Sequence, residues 1–251
     1  QTLERLTGQV LLVRSRPVRA TAAGDVVVRH ARQMEHLDQE AAATLGIATH
    51  QRPSLTLGVN SDSLSTWFLA PLARMSASHD VTFDIHRDDE GRTADLLADG
   101  TVVAAVTTRS EPVPGCTVTR LGVMEYSAVA SSQFASRWFE HGVTDNALAV
   151  APMIEMDAHD TLQVAYLEAR GVTGASPPRH RVPAAADLAR AIDFGMGWAV
   201  VPRQQRGWLT DAVDLGGPVV KVPLYWQQWR VHSELLTAVA ADIAAEAAAQ
   251  L

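Results

Sequence analysis

The pattern of apolar and polar positions changes after residue 53. From Ser54 onward, short apolar runs alternate with segments whose apolar residues recur every three or four positions, which predicts alternating strands and helices. The predicted strands cover residues 54–59, 81–86, 102–107, 116–121, 126–130, 149–156, 180–182, 198–201 and 219–226. The predicted helices cover residues 63–77 (interrupted early by Pro71), 92–98, 132–140, 161–170, 184–194, 204–210 and 234–250. Such alternation is typical of the α/β class, in which helices cover parallel sheets.

The first fifty residues follow a different pattern. Residues 3–8 resemble the end of an amphipathic helix that a glycine closes. Two short apolar runs with arginines come next and predict a two-stranded ribbon. Residues 22–46 then predict one long helix whose narrow, alanine-rich apolar face suits packing against another helix, although an ordinary surface helix would also fit. Gly46 ends this helix, and residues 49–53 form a polar hinge.

Composition limits the class of protein. The chain has 251 residues, of which 47% are apolar and 20% charged, so wholesale disorder is excluded. No apolar run approaches the ~18 residues that a membrane span needs, and the N-terminal residues lack the basic-then-apolar pattern of a signal peptide. Cys116 is the single cysteine, which excludes an intramolecular disulfide. These observations predict a reduced, cytoplasmic setting without a membrane partner.

Charge is distributed unevenly along the chain. Residues 1–50 carry six arginines and five acidic residues, whereas residues 51–251 carry fifteen basic and twenty-three acidic residues. Between Arg5 and Arg19 there is no acidic residue. A basic patch can neutralise phosphates, and an acidic body disfavours non-specific contact with nucleic acid. A solvated basic turn is the alternative interpretation of the cluster taken by itself.

The N-terminal residues are similar to those of a known family. The run Leu3-Glu4-x-Leu-x-Gly8-x-x-Leu11-Leu12-x-Arg14-x-x-x-x-Arg19-x-Thr21-x-Ala23-Gly24 resembles the LysR-type transcriptional regulators. The resemblance implies that residues 1–21 are the C-terminal part of a winged helix-turn-helix, whose earlier helices precede Gln1. It implies that residues 22–50 are a linker helix and hinge. The remainder would be a bilobed effector domain related in shape to periplasmic binding proteins, with residues 51–133 and 219–251 in lobe I and 134–218 in lobe II.

The same resemblance implies partners. The complete chain would bind double-stranded DNA, and it would form a homodimer through the linker helix, with a tetramer left open. The side chains expected to contact the DNA backbone are Arg5, Arg14, Arg16 and Arg19.

Catalytic and metal-binding constellations are missing from the sequence. The nine histidines form no HExxH motif and no closely spaced His/Cys set. No P-loop occurs, and Gly195-x-Gly197 lacks the third glycine of a dinucleotide fingerprint. Cys116 begins an apolar strand, which is typical of a small buried residue rather than a nucleophile. We therefore predict a protein that is not an enzyme and holds no metal or cofactor.

Polar residues are concentrated where predicted strands end. Residues 60–67 follow the first strand and read Asn-Ser-Asp-Ser-Leu-Ser-Thr-Trp. In open α/β sheets, ligands bind beyond the carboxyl ends of strands, where helix N-termini offer N–H groups. Helix capping explains one or two of these polar residues but not their density. Another strand ends at Thr107-Thr108, and Pro183 precedes a helix of the second lobe.

Within the family, residues 59–67 resemble the LysG/ArgP branch, which senses basic amino acids and controls their export. The resemblance implies L-lysine or L-arginine as the effector, whose carboxylate needs N–H or hydroxyl donors and whose cations need carboxylates. The carboxylates near the expected cleft are Asp62, Asp89, Glu90, Glu125, Asp157 and Asp160, with Asp62 ranked first and Asp157 or Asp160 next. The predicted effector-binding set is Asn60, Asp62, Ser63, Thr66, Thr107, Thr108, Glu125, Asp157, Asp160 and Pro183.

The loop at residues 183–185 reads Pro-Ala-Ala, where related proteins tend to carry hydroxyls or amides, so it offers no such side chain to a ligand. The alternative function is a stand-alone amino acid-binding protein. That alternative explains a cleft but neither the arginine ribbon nor the linker helix.

Overall fold

The computed structural model describes residues 2–45, 52–88, 92–174 and 176–251. Its N-terminal elements are α1 (Thr2–Thr7), β1 (Leu12–Val13), β2 (Arg19–Ala20) and α2 (Ala22–Thr44). Gly8 follows α1 with a φ of +66°, a conformation that glycine adopts readily, so the predicted closing glycine is confirmed. Strands β1 and β2 pair antiparallel, with Leu12 opposite Ala20, which confirms the two-stranded ribbon.

Some predictions fall outside the described residues. Gly46, residues 49–51 of the predicted hinge, Asp89 and Glu90 are among them. Helix α2 confirms the predicted long helix as far as Thr44.

Two compact units make up the described part of the chain. Unit 1 contains the described residues of the ranges 2–60, 67–121 and 224–250, and unit 2 contains those of 61–66 and 122–223 together with Leu251. The elements that follow α2 are β3 (Ser54–Val59), α3 (Ser61–Thr66), α4 (Leu69–Ser78), β4 (Thr82–Arg87), α5 (Thr93–Ala98), β5 (Ala104–Thr107), β6 (Cys116–Ser131), α6 (Ser132–Trp138), α7 (Asp145–Leu148), β7 (Met153–Glu155), α8 (Leu162–Ala169), β8 (Arg179–Arg181), α9 (Ala185–Asp193), β9 (Ala199–Pro202), a 3-10 helix (Arg203–Trp208), β10 (Ala212–Asp214), β11 (Val220–Trp229) and α10 (Glu234–Gln250).

The sheet of unit 1 is built around β3. This strand pairs in parallel with β4 on one side and β5 on the other, and β5 pairs antiparallel with β11. Leu55, Leu57 and Val59 share one face of this strand and are all buried, and on the other face Thr56 is half-buried and Gly58 is buried, as expected of a central strand. The predicted strand over residues 54–59 and the predicted helix over 234–250 are confirmed at both ends.

The helix predicted over residues 63–77 is two helices, α3 and α4. Trp67 and Phe68 separate them, and both aromatic side chains are buried. The Phe68 ring lies 6.5 Å from the Trp226 ring in the core of unit 1. Pro71 sits in the first turn of α4, where a missing N–H costs no helical hydrogen bond. The interruption therefore precedes Pro71, and the prediction that Pro71 causes it is wrong.

Unit 2 mixes strand directions. Strand β6 pairs antiparallel with β9 and with β10, whereas β7 and β8 pair in parallel. The expectation of parallel sheets thus holds around β3 and between β7 and β8, and it is wrong for β6 and for β5 with β11. Alternation along the sequence cannot reveal a strand that returns against the others, because an antiparallel partner needs no crossover helix.

The two strands predicted over residues 116–121 and 126–130 are one strand, β6. Gly122 lies inside this strand. A Cβ atom at Gly122 would come within 2.7 Å of the Leu251 Cβ, so the absence of a side chain here leaves room for Leu251.

Two short elements of unit 2 were not predicted, α7 and β10. Thr144 caps α7, its side-chain oxygen accepting the Ala147 N–H at 3.2 Å. The strand predicted over 149–156 is consequently shorter, and the helix predicted over 204–210 is the 3-10 helix.

Helix α2 packs against the rest of unit 1 with a polar face. Asp25, Arg29, Gln33, His36 and Glu40 follow one another at spacings of three and four residues, and all five are buried or half-buried. Several large apolar side chains of α2 are exposed instead. Met34 is 53% exposed, Val26 and Leu37 are exposed as well, and Leu45, which directly follows α2, is 73% exposed.

Contacts at both ends hold α2 in place. Arg29 donates from Nη1 to the carbonyls of Ala98 and Pro114, each at 3.3 Å. The Glu40 Oε1 accepts from the Ser233 hydroxyl at 3.1 Å and from the Leu235 N–H at 3.2 Å, at the start of α10. Among the described residues, no helix is both long and apolar enough to cross a membrane.

Candidate functional site

The polar run after β3 is buried rather than displayed on the surface. Asn60, Asp62 and Ser63 are each less than a tenth exposed, and Ser63 is fully buried. Asp62 and Ser63 lie in the first turn of α3, which belongs to unit 2. Burial of three polar side chains within four residues is costly unless they have hydrogen-bond partners. The partners of these side chains therefore determine what this turn can bind.

Asp62 is held by two neutral donors of unit 2. The Tyr126 hydroxyl donates to Asp62 Oδ2 at 3.0 Å, and the Gln205 Nε2 donates to Asp62 Oδ1 at 3.3 Å. Neither Tyr126 nor Gln205 was predicted, because each lies far from Asp62 in the sequence and neither carries a charge that would draw attention. Gln205 also donates to the Ser65 hydroxyl at 3.1 Å.

The hydroxyls of α3 divide into two kinds. Those of Ser65 and Thr66 donate to the Asp62 carbonyl at 3.1 and 2.6 Å, so both satisfy the helix backbone. The Ser63 hydroxyl is different, since its oxygen has no hydrogen-bond partner among the described residues. A buried hydroxyl of this kind can serve a ligand at small cost, because it gains a bond that the protein does not supply.

Thr107 and Thr108 lie at the end of β5 in unit 1. Thr107 is buried, and its hydroxyl oxygen accepts the Arg109 N–H at 2.8 Å. The loop that follows is fixed by Gln227, which accepts from the Val113 N–H and donates to the carbonyls of Arg109 and Glu111. Thr108 is half-buried. Asn60, Thr107 and Thr108 belong to unit 1, and the other predicted effector residues belong to unit 2.

The remaining predicted carboxylates have partners of their own. Glu125 forms ion pairs with Arg203 at 3.4 Å and with Lys221 at 3.1 Å. Asp157 accepts the N–H groups of His159 and Asp160 in a local turn.

Asp160 also serves the local backbone. It accepts from the N–H groups of Met156 and Leu162 at the start of α8. Burial raises the pKa of Asp160, and those backbone hydrogen bonds oppose the shift.

Pro183 is exposed in the loop before α9. Ala184 stands at the N-cap of α9 and makes no side-chain capping bond, in agreement with the missing hydroxyl noted in the sequence. Helix α9 packs against α3 within unit 2.

Glu155 is a further buried carboxylate that was not among the predicted residues. Its side chain is 1% exposed at the carboxyl end of β7, with Arg179 Nη1 at 2.7 Å and Arg181 Nε at 3.6 Å. A charged residue inside the apolar run at 153–156 was the available signal, since a buried carboxylate requires a cationic partner. Within the described ranges, no group of three or more histidine, cysteine or acidic residues could hold a metal ion.

The arginines of the N-terminal segment are displayed to solvent. Arg5 lies in α1, Arg19 in β2, and Arg14 and Arg16 in the connection between β1 and β2, and all four are exposed. An exposed hairpin of this kind can reach phosphates without desolvating any charge on its own side.

Comparison with known proteins places these features in a family. Residues 48–247 match the LysR substrate binding domain. The lysine export transcriptional regulatory protein LysG of Corynebacterium efficiens is 39% identical over 241 residues, which cover 94% of this chain and 82% of that protein. The crystal structure of ArgP from Mycobacterium tuberculosis is 35% identical with a TM-score of 0.88, covering 98% of this chain and 84% of that one.

A second solved structure is similar over the whole chain. It is full-length LysG from Corynebacterium glutamicum with the bound effector arginine, at 30% identity and a TM-score of 0.84, covering 100% of this chain and 86% of that one. These relatives are transcriptional regulators and not enzymes. This chain therefore belongs to the LysR-type transcriptional regulators, within their LysG/ArgP branch.

Proposed function

We propose that this protein is a cytoplasmic DNA-binding regulator whose effector domain senses L-lysine or L-arginine and controls the gene of an amino acid exporter. The relatives support this in their names: one is a regulator of lysine export, and another was solved with arginine as its effector. The same relatives are consistent with a protein that performs no catalysis.

The buried carboxylate of Asp62 carries the proposal. A basic amino acid brings two cationic groups and one carboxylate, so its site needs at least one carboxylate removed from bulk water. Asp62 is 7% exposed, and an ionic contact at such a position is less weakened by solvent than one on the surface. In the same turn, the buried Ser63 hydroxyl offers a donor for the ligand's carboxylate.

Among the other carboxylates we rank Asp62 first for a structural reason. Glu125 already pairs with two cations, and Asp157 and Asp160 accept backbone N–H groups that shape their own turn. Asp62 accepts hydrogen bonds as well, from Tyr126 and Gln205, but of these four carboxylates it alone is buried, so an ionic contact with a ligand there is the least weakened by solvent. Asn60, Thr66, Thr107, Thr108 and Pro183 remain proposed contributors at the ends of strands and at the start of helices.

We assign contact with DNA phosphates to Arg5, Arg14, Arg16 and Arg19. Each phosphate contact that is lost should weaken binding to all sequences alike and reduce the dependence on salt. Alanine variants of Arg14 and Arg16 should therefore lower the affinity for DNA and flatten its salt dependence. A changed preference between operator sequences with an unchanged salt slope would contradict this assignment.

We also propose that α2 forms the homodimer contact. Its polar face is covered by the rest of unit 1, which leaves an apolar stripe containing Met34 and Leu37 exposed. A second copy of the same helix would cover that stripe, as expected for an amphipathic helix in a bundle. Sedimentation of the Met34→Glu variant tests this. A monomer supports the proposed contact, and an unchanged dimer argues against it.

Calorimetric titration with L-arginine and L-lysine tests the sensing function. The wild-type chain should bind at least one of them, and the Asp62→Asn variant should bind it more than about thirty-fold less tightly, because removing one partner of a buried charge pair costs roughly 2 kcal/mol or more. Glu168→Gln, which changes an exposed carboxylate of α8 outside the predicted effector-binding set, is the matched control and should bind as the wild type does. No binding of either amino acid by the wild type would contradict the function.

A further inference from the structure

The contacts of Asp62 place one donor on each oxygen of its carboxylate. Tyr126 approaches Oδ2 from β6, and Gln205 approaches Oδ1 from the 3-10 helix. Both donor side chains are buried, so neither is held loosely by solvent. Two donors on two different oxygens fix the plane of a carboxylate as well as its position, whereas one donor would leave it able to rotate.

Gln205 is itself fixed in a closed ring of hydrogen bonds. Its Nε2 donates to both Asp62 Oδ1 and the Ser65 hydroxyl, and that hydroxyl donates to the Asp62 carbonyl at 3.1 Å. The orientation of the amide follows from this ring, since a carboxylate oxygen can only accept and the nitrogen must face it. This ring of hydrogen bonds fixes the orientation of the Gln205 amide, and the amide in turn fixes the Asp62 carboxylate.

We propose that Tyr126 and Gln205 are positioning residues that align the Asp62 carboxylate for the guanidinium group of arginine. The inference rests on the proposed function and adds to it a basis for selecting arginine over lysine. A guanidinium binds a carboxylate through two parallel N–H bonds in one plane, so a fixed carboxylate plane favours it. An ammonium is a compact charge with three rotatable donors and gains much less from that alignment.

Neither positioning residue adds charge to the site. Tyr126 and Gln205 supply hydrogen bonds only, so these two contacts orient the Asp62 carboxylate without neutralising it.

The variants Tyr126→Phe and Gln205→Met each remove one donor and preserve most of the side-chain volume. We expect each to weaken arginine binding about ten-fold, the effect of losing a hydrogen bond to a charged group, and to weaken lysine binding less than about three-fold. The ratio of the two dissociation constants is the decisive readout, because a purely structural defect would lower both affinities together.

Tyr166→Phe is the matched control. Tyr166 is equally buried in unit 2, and its hydroxyl donates to the Gly216 carbonyl at 2.8 Å instead of to Asp62. The control should lower the melting temperature and leave the ratio of dissociation constants unchanged. Thermal unfolding of all three variants establishes that each is folded, and Gln205→Met tests the proposal independently should Tyr126→Phe fail to fold.

The outcomes distinguish the positioning role of Tyr126 and Gln205 from the sensing function itself. If wild type binds arginine and both folded positioning variants keep its selectivity, the positioning role is overturned and the sensing function stands. If the wild type binds neither amino acid, both are overturned. A selectivity loss confined to Tyr126→Phe and Gln205→Met supports the proposal.

Discussion

Replacement of Glu40 by alanine should destabilise the chain by removing the contact between α2 and the start of α10. The Glu40 carboxylate accepts from the Ser233 hydroxyl and from the Leu235 N–H in the first turn of a 17-residue helix. Loss of a capping acceptor costs about 1 kcal/mol, and loss of a negative charge near a helix N-terminus costs roughly another 0.5 kcal/mol. Ser233 itself still accepts the Leu236 N–H at 3.0 Å, which prevents a larger loss.

The expected total of about 1.5 kcal/mol corresponds to a fall in Tm of roughly 3–6 °C for a chain of this size. Thermal unfolding followed by circular dichroism, together with urea unfolding, measures both quantities. Glu168→Ala is the control, because Glu168 is an exposed acidic residue within α8, and its effect should stay within about 0.5 kcal/mol. Equal stability of the Glu40 and Glu168 variants would refute the reasoning that α2 is anchored through Glu40.

Two further predictions concern buried titratable groups of unit 1. Burial raises the pKa of the Cys116 thiol from 9.0 to about 11, so at pH 8 its thiolate fraction is about one hundredth of the ordinary value. A thiol reagent should therefore react at least about 100-fold faster with the urea-unfolded chain than with the folded chain. Equal rates would contradict the burial of this thiol. Burial lowers the pKa of His36 below its ordinary 6.5 against the opposing charge of Glu40, so the native state favours the neutral ring. The stability that the neutral His36 ring contributes is complete above pH 6.5 and is lost as the pH falls through the lowered pKa. The His36→Leu variant should therefore show a smaller difference in unfolding free energy between about pH 7.5 and about pH 5.5 than the wild type. An unchanged difference would contradict this role of His36.

Local sequence patterns predicted the bounds of elements whose apolar and polar positions lie within one short segment. Strand β3 and helix α10 were predicted at both ends, because a run such as Leu55, Leu57 and Val59 has one satisfactory arrangement in a covered sheet. The sequence did not predict that β6 continues through Gly122. Leu251 lies against this glycine, more than a hundred residues further along the chain, and no local pattern contains that contact.

The residues of the candidate site also fall into those that local patterns could predict and those that they could not. Asp62 and Ser63 stood out because polar residues were dense after an apolar strand, and the structure shows both buried. Tyr126 and Gln205 could not have been found by the same signal, since their significance is a contact with Asp62 across 64 and 143 positions. The polar face of α2 was also hidden, because the sequence shows which face is apolar but not which face the rest of the chain covers.

Thermal unfolding of the chain in the presence of each of the twenty amino acids tests the central claim most directly. A ligand present at 100 times its dissociation constant adds about 2.7 kcal/mol of stability, a rise of roughly 5–10 °C. We expect a rise confined to arginine and lysine that is lost in the Asp62→Asn variant. A rise with acidic or apolar amino acids instead, or no rise with any of the twenty, would contradict it.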